Sequence, residues 1–115
     1  MPNPVVHFEI IGKNGAELQN YYKDLFEWEI DTNNPMNYGL VDTKSGGING
    51  GIGGSEHGAY VAVYVEVPDL QATLDKAVQL GGKILMPPTE VTDTVTIAMF
   101  SDPENNVVGL LKGNG

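Results

Sequence analysis

The chain is 115 residues long, room for one domain with a single core. Its 15 Asp and Glu outnumber 6 basic residues, all lysine, for a net charge of −9. That balance predicts no partnership with nucleic acid or an anionic membrane surface, and it favours cationic or neutral ligands.

The lack of cysteine excludes disulfide and thiolate chemistry, and the lack of arginine excludes a bidentate guanidinium clamp on a phosphate or carboxylate. No apolar run approaches the roughly 20 residues a bilayer span requires. The first residues, Met1-Pro-Asn-Pro, lack the basic-then-apolar pattern of a secretory signal. A cytoplasmic protein is the expectation.

Val5-Val-His-Phe-Glu-Ile-Ile11 is rich in β-branched and aromatic residues and predicts a strand. Asn14 can cap a helix, with Glu17 placed to complete a capping box. Apolar positions at Leu18, Tyr22, Leu25 and Phe26 then follow helical spacing. Short strands are predicted at Trp28-Glu-Ile30 and Tyr38-Gly-Leu-Val41, with a turn at Asn33-Asn-Pro35 between them.

Gly46-Gly-Ile-Asn-Gly-Gly-Ile-Gly-Gly54 matches neither a phosphate loop nor a dinucleotide fingerprint. It predicts an atypical strand whose backbone is approached closely by another strand, a helix or a ligand.

A polar linker, Ser55-Glu-His-Gly58, leads to the strand Ala59–Val67. Asp69 caps a second helix with apolar positions Leu70, Leu74, Ala77 and Val78, ended by Gly81-Gly82. Three more strands are predicted at Lys83–Met86, Val95–Phe100 and Asn106–Leu111, separated by Pro87-Pro88 and Asp102-Pro103. Placing Asp69 on Asn14 offsets the second half by 55 residues and also puts Leu80 on Leu25 and Ala62 on His7. The order strand, helix, three strands occurs twice, which points to internal duplication. Module one is expected at about 4–54 and module two at about 59–112, within one domain spanning 1–115.

Val6-His7-Phe8-Glu9-Ile10, Tyr21-Tyr22 and Phe100-Ser-Asp-Pro-Glu-Asn105 extend this picture. They resemble the opening strand, the aromatic pair of the first helix and the turn before the last strand of the vicinal oxygen chelate superfamily. Its members include glyoxalase I, bleomycin-resistance proteins and extradiol dioxygenases. Tyr38-Gly together with Gly46 to Gly54 is similar to a glyoxalase-like subgroup.

The resemblance implies an α+β fold of duplicated βαβββ modules, with curved mixed sheets around a cleft. It also implies a divalent metal that chelates two neighbouring substrate oxygens, with His7 as a metal ligand. The other ligand positions fall on Ala62, Gly109 and the stretch Gly50 to Gly54, none of which can ligate through a side chain.

In the first strand His7 and Glu9 share a face, and in the fifth Ala62, Tyr64 and Glu66 share one. The valines at 61, 63, 65 and 67 are assigned to the helix side. His7, Glu9, Tyr64 and Glu66 are expected to converge in one cavity. There His7 and Glu66 are the candidate catalytic groups, and Glu9, Tyr64 and Trp28 the candidate ligand contacts. His7 with Glu9 and Glu66 would offer one nitrogen and two oxygens to a divalent ion, or the carboxylates would hold a cationic ligand against Tyr64. A lone Trp such as Trp28 is more often a core residue than a ligand platform, and His57 lies in a solvated linker.

Two readings stay open. One is a metal-dependent lyase or isomerase acting on a small oxygen-rich molecule. The other is a metal-free protein that sequesters a small molecule in an acidic cleft. A homodimer is expected in either case, with the glycine strand as a flat contact surface.

Overall fold

The chain is described from a computed structural model over residues 2–113. The chain runs β1 (Val5–Gly12), α1 (Gly15–Phe26), β2 (Glu29–Asp31), β3 (Gly39–Asp42), β4 (Gly50–Gly54) and β5 (Tyr60–Val67). It continues through α2 (Leu70–Gln79), β6 (Lys83–Thr92), β7 (Val95–Ser101) and β8 (Val107–Lys112). These are the eight strands and two helices of a βαβββ order used twice, an α+β fold.

Two units form by internal packing. One is His7–Val61, and the other joins the residues from 62 onward with those before His7. In the first, the strands lie in the order β2-β3-β4-β1, with β1 and β4 parallel and the other pairs antiparallel. In the second, the order is β5-β8-β7-β6, with β5 and β8 parallel and the other pairs antiparallel. Each unit therefore repeats one topology. The first residues join the second unit through the Glu66 N–H, which donates to the Pro4 carbonyl at 2.9 Å. Among the described residues no helix is long and apolar enough to cross a membrane.

Both helices start where their caps predict. The Asn14 side chain accepts from the Glu17 N–H at 3.0 Å, and its amide donates to the Glu17 carboxylate at 3.2 Å, a side-chain pairing in place of the capping box's bond to the cap's backbone N–H. The Asp69 carboxylate accepts from the Ala72 N–H at 3.0 Å. The second unit has an apolar core of Val67, Leu70, Leu74, Ala98 and Leu110, with Val65 and Phe100 packed against it. In the first unit Ile11, Val41 and Ile52 are buried.

Three expectations are corrected. The strand predicted over Gly46–Gly54 covers only Gly50–Gly54. The residues before it form the β3–β4 connection, where the Asn49 side chain accepts from the Thr43 N–H at 2.9 Å and Gly46 takes φ +79°. β6 does not stop at Met86 but runs through Pro87-Pro88 to Thr92, with register shifts against β7 around the prolines. It is the outer strand of its sheet, where proline's missing N–H breaks no ladder. The valine face of β5 is divided: Val65 and Val67 join the core, but Val61 and Val63 are 69% and 41% exposed. Leu70 and Leu74 of the ten-residue α2 share a core with Val67, and Val65 packs against it.

Candidate functional site

Alternation along β1 puts His7, Glu9 and Ile11 on one face, with Phe8 and Ile10 on the other. Glu9 is only 8% exposed. A buried carboxylate costs several kcal/mol unless hydrogen-bond donors replace its water. Two phenols supply them. The Tyr38 hydroxyl donates to Glu9 Oε2 at 2.9 Å, and the Tyr60 hydroxyl donates to Oε1 at 3.0 Å. His7 Nε2 lies 3.2 Å from the Tyr38 hydroxyl oxygen. All four residues belong to the unit His7–Val61.

The Tyr38 hydroxyl hydrogen goes to Glu9, and the same oxygen stands within hydrogen-bond reach of the His7 ring. Burial lowers the His7 pKa below its ordinary value, partly countered by the negative charge of Glu9, so the ring is neutral at pH 7. Burial, the Glu9 charge and the hydrogen bond push the Tyr60 hydroxyl up to about 12, so it remains a donor across the physiological range.

Tyr38 owes its place to two devices. Asn34 brackets its backbone: the Tyr38 N–H donates to Asn34 Oδ1 at 2.9 Å, and Asn34 Nδ2 donates to the Tyr38 carbonyl at 2.7 Å. The neighbouring loop is tied to α1 and β4 by Gln19, a buried amide whose Nε2 donates to the carbonyls of Asn37 at 3.0 Å and Ile52 at 2.7 Å. The second device is the glycine strand. A Cβ at Gly51 would overlap the hydroxyl oxygen, Cζ and Cε2 of Tyr38, and one at Gly53 would stand 2.9 Å from Tyr38 Cδ1. The close approach predicted for the glycine run is made by a side chain of the same chain. That removes the run as a reason to expect a contact between two copies.

His7 and Glu9 are thus brought together. Tyr64 and Glu66 belong to the other unit. Tyr64 is buried, with its ring across Gly109, and the Glu66 side chain lies against Gly113. Trp28 is half-buried, with its ring centre 4.9 Å from Phe26, 5.4 Å from Phe8 and 6.1 Å from Tyr22. Its contact on β1 is therefore Phe8, on the face opposite His7. A groove of about 570 Å³ lies in the unit of Tyr64, between α2 and the turn after β7. It is lined by Lys76, Leu80, Phe100 and Asp102 among others, and none of the four polar residues reaches it.

The residues do not suit the divalent metal that the resemblance implies. Among the described residues no three of His, Asp and Glu stand together as metal donors. His7 Nε2 is directed at Tyr38, and each oxygen of Glu9 accepts a phenol hydrogen. Those two phenols take one acceptor site on each carboxylate oxygen.

Sequence reasoning missed Tyr38 and Tyr60 as site residues, and both had a signal. Tyr60 is two residues before Ala62, so the period that selects Tyr64 and Glu66 selects it as well. Gly51 and Gly53, two apart on one strand face, mark a slot of ring width, and Tyr38 stands just before the strand that pairs with them.

The model of the Glyoxalase/Bleomycin resistance protein/Dioxygenase superfamily matches residues 5–110. CFP32 of Mycobacterium bovis, provisionally named a glyoxylase, is 30% identical over 108 residues, covering 86% of this chain and 41% of its own length. Its Mycobacterium tuberculosis counterpart matches to the same extent. The chain therefore spans less than half the length of these relatives.

Among solved structures, a superfamily member from Vibrio splendidus 12B01 aligns with a TM-score of 0.65 at 14% identity, over 97% of this chain and 100% of that one. Methylmalonyl-CoA epimerase from Mycobacterium tuberculosis aligns with a TM-score of 0.64 at 11% identity, over 96% and 88%. Identities this low establish a shared fold.

Proposed function

The chain belongs to the Glyoxalase/Bleomycin resistance protein/Dioxygenase superfamily, and from that premise we propose that it binds a small cationic or neutral organic molecule without a divalent metal. The observation that carries this reading is the buried Glu9 carboxylate held at both oxygens by phenols. Around it stand a neutral His7 and two half-buried tyrosines, an acidic and aromatic lining suited to a cation or a hydrogen-bonding neutral ligand.

The charge supports the same class. The stretch His7–Val61 carries eight carboxylates against three lysines. Solved neighbours include methylmalonyl-CoA epimerase in complex with methylmalonyl-CoA. A polyphosphate ester of that kind would meet repulsion here and no arginine. The metal-dependent lyase or isomerase reading calls for a fuller donor set than the His7 and Glu9 that this network offers.

A cytoplasmic homodimer is part of the proposal. Exposed apolar side chains such as Val61, Leu25 and Phe26 support self-association, and sedimentation at about twice 12.3 kDa would bear it out.

The ligand class is tested by thermal unfolding with benzyltrimethylammonium, benzyl alcohol and coenzyme A. The cation or the alcohol should raise the melting temperature in a dose-dependent way, by about 2.7 kcal/mol of added stability at a hundredfold excess over Kd. Glu9→Gln should remove the effect of the cation. A rise with coenzyme A alone would overturn the assignment.

A further inference from the structure

We propose that the groove beside α2 is a binding site for a bicyclic aromatic amine, its rings on the apolar wall and its ammonium held by Asp69 and Asp102. The groove measures about 570 Å³, within the roughly 300–1,000 Å³ usual for small-molecule sites. It lies wholly within the second unit and shares no residue with the Glu9 network.

The first unit shows what such a space takes. Within the helices the two halves match at an offset of 55, so Ala77 stands where Tyr22 does. Behind the helices the offset falls to 54. The left-handed residue there is Glu27 at φ 58° in one unit and Gly81 at φ +106° in the other, and Ile30 pairs with Val41 as Ile84 does with Phe100. Trp28 therefore matches Gly82. In the first unit the rings of Tyr22 and Trp28 stack with centres 6.1 Å apart and planes 16° apart. In the second unit neither position carries a ring, and both line the groove. The chain cannot fill it from position 82, since a Cβ there would stand 2.5 Å from the Ser101 carbonyl oxygen. Leu80, 69% exposed, and Phe100 add apolar wall.

The polar groups choose the charge. Asp69 and Asp102 line the groove against Lys76, the one cation among its described residues. The Asn106 amide and the N–H groups of Asn106 and Glu104 hold the Asp102 carboxyl below its ordinary value, so it is ionised at pH 7. An anion meets net repulsion there, whereas a primary ammonium can donate to carboxylate oxygens. A quaternary ammonium has no hydrogen to give.

Tryptamine, indole and indole-3-acetate share a ring system and differ in charge. Titrated into the ¹⁵N-labelled full chain at pH 7, tryptamine should shift the amides of Ala72, Ala77, Gly82 and Phe100 along one saturable curve. Indole-3-acetate should bind more weakly than indole. Asp69→Asn removes a charge and keeps a cap, since Asn14 caps α1 in the same way. It should weaken tryptamine about two- to fivefold and leave indole unchanged. Ala77→Tyr gives the second unit the ring of the first and should abolish binding of all three. If that variant does not fold, Lys76→Glu, at an exposed position, replaces it and should strengthen tryptamine by a similar factor. The site would be overturned by no saturable shift with tryptamine, by shifts confined to His7–Val61, or by indole-3-acetate binding more tightly than tryptamine. A tryptamine affinity that these substitutions leave unchanged would overturn it as well.

Discussion

The two units share a topology and differ in what they bury. Gln19 in α1 and Leu74 in α2 are 55 positions apart, the offset that superimposes the two halves. Both are buried, at 8% and 0% exposure. Leu74 completes an apolar core, whereas Gln19 spends its amide on two backbone carbonyls that frame Tyr38.

The same offset matches Glu9 to Tyr64. Each faces a glycine on the parallel neighbouring strand, Glu9 opposite Gly51 and Tyr64 opposite Gly109. In one unit the space over the glycine takes a phenol from elsewhere that holds the carboxylate. In the other, Tyr64 fills that space with its own ring. Duplication thus produced one half stabilised by apolar packing and one half in which comparable positions support a polar network.

The comparison can be broken by exchanging its terms. Leu74→Ala should be the most damaging single change, at about 2–5 kcal/mol, because it opens a cavity in a fully enclosed core. Denaturant midpoints would measure it. Gln19→Leu makes the first unit chemically like the second, yet it should destabilise by about 1–3 kcal/mol, since carbonyls of Asn37 and Ile52 lose a donor. If that variant were more stable than wild type, the contrast between the units would fall. Gly51→Ala should cost about 1–3 kcal/mol through forced movement of Tyr38.

Smaller effects sharpen the comparison through pH. The Tyr60 hydroxyl is pushed up from the ordinary tyrosine value of 10.0 to about 12. Above pH 10 the unfolded chain releases this proton and the folded chain retains it, so Tyr60 should lower stability progressively between pH 10 and 12. Tyr60→Phe should flatten that part of the stability curve. His7 shifts the other way. Its folded pKa lies below 6.5, so the unfolded state binds the proton first. Its stabilising contribution is complete above pH 6.5 and is lost as pH falls from there through the folded value. His7→Gln should make stability less sensitive to acid in that window.

The fold was legible in the sequence because its signals are local. Asn14 with Glu17, and Asp69 ahead of Leu70, name two helix starts, and alternation in 5–11 and 59–67 names two strands. Duplication then doubled each signal. β6 escaped because Pro87-Pro88 ends an interior strand but is tolerated on an outer one, and edge position is a tertiary fact.

The site was half legible. Period two put His7 and Glu9 on one face, since that depends on one strand alone. Tyr38 reaches Glu9 across 29 positions and Tyr60 across 51, contacts that no spacing rule within one element encodes. The glycine run showed that something came close but could not name it, because a glycine records the absence of a side chain and not the identity of its neighbour.

The central proposal is that the Glu9 carboxylate, held by the phenols of Tyr38 and Tyr60, serves an organic ligand and not a divalent ion. Calorimetric titration of the full chain with Mn²⁺ and with Ni²⁺, alongside Glu9→Gln, tests it most directly. The account predicts no one-to-one binding in the micromolar range and no difference between wild type and variant. One-to-one binding in the wild type that disappears in Glu9→Gln would contradict it.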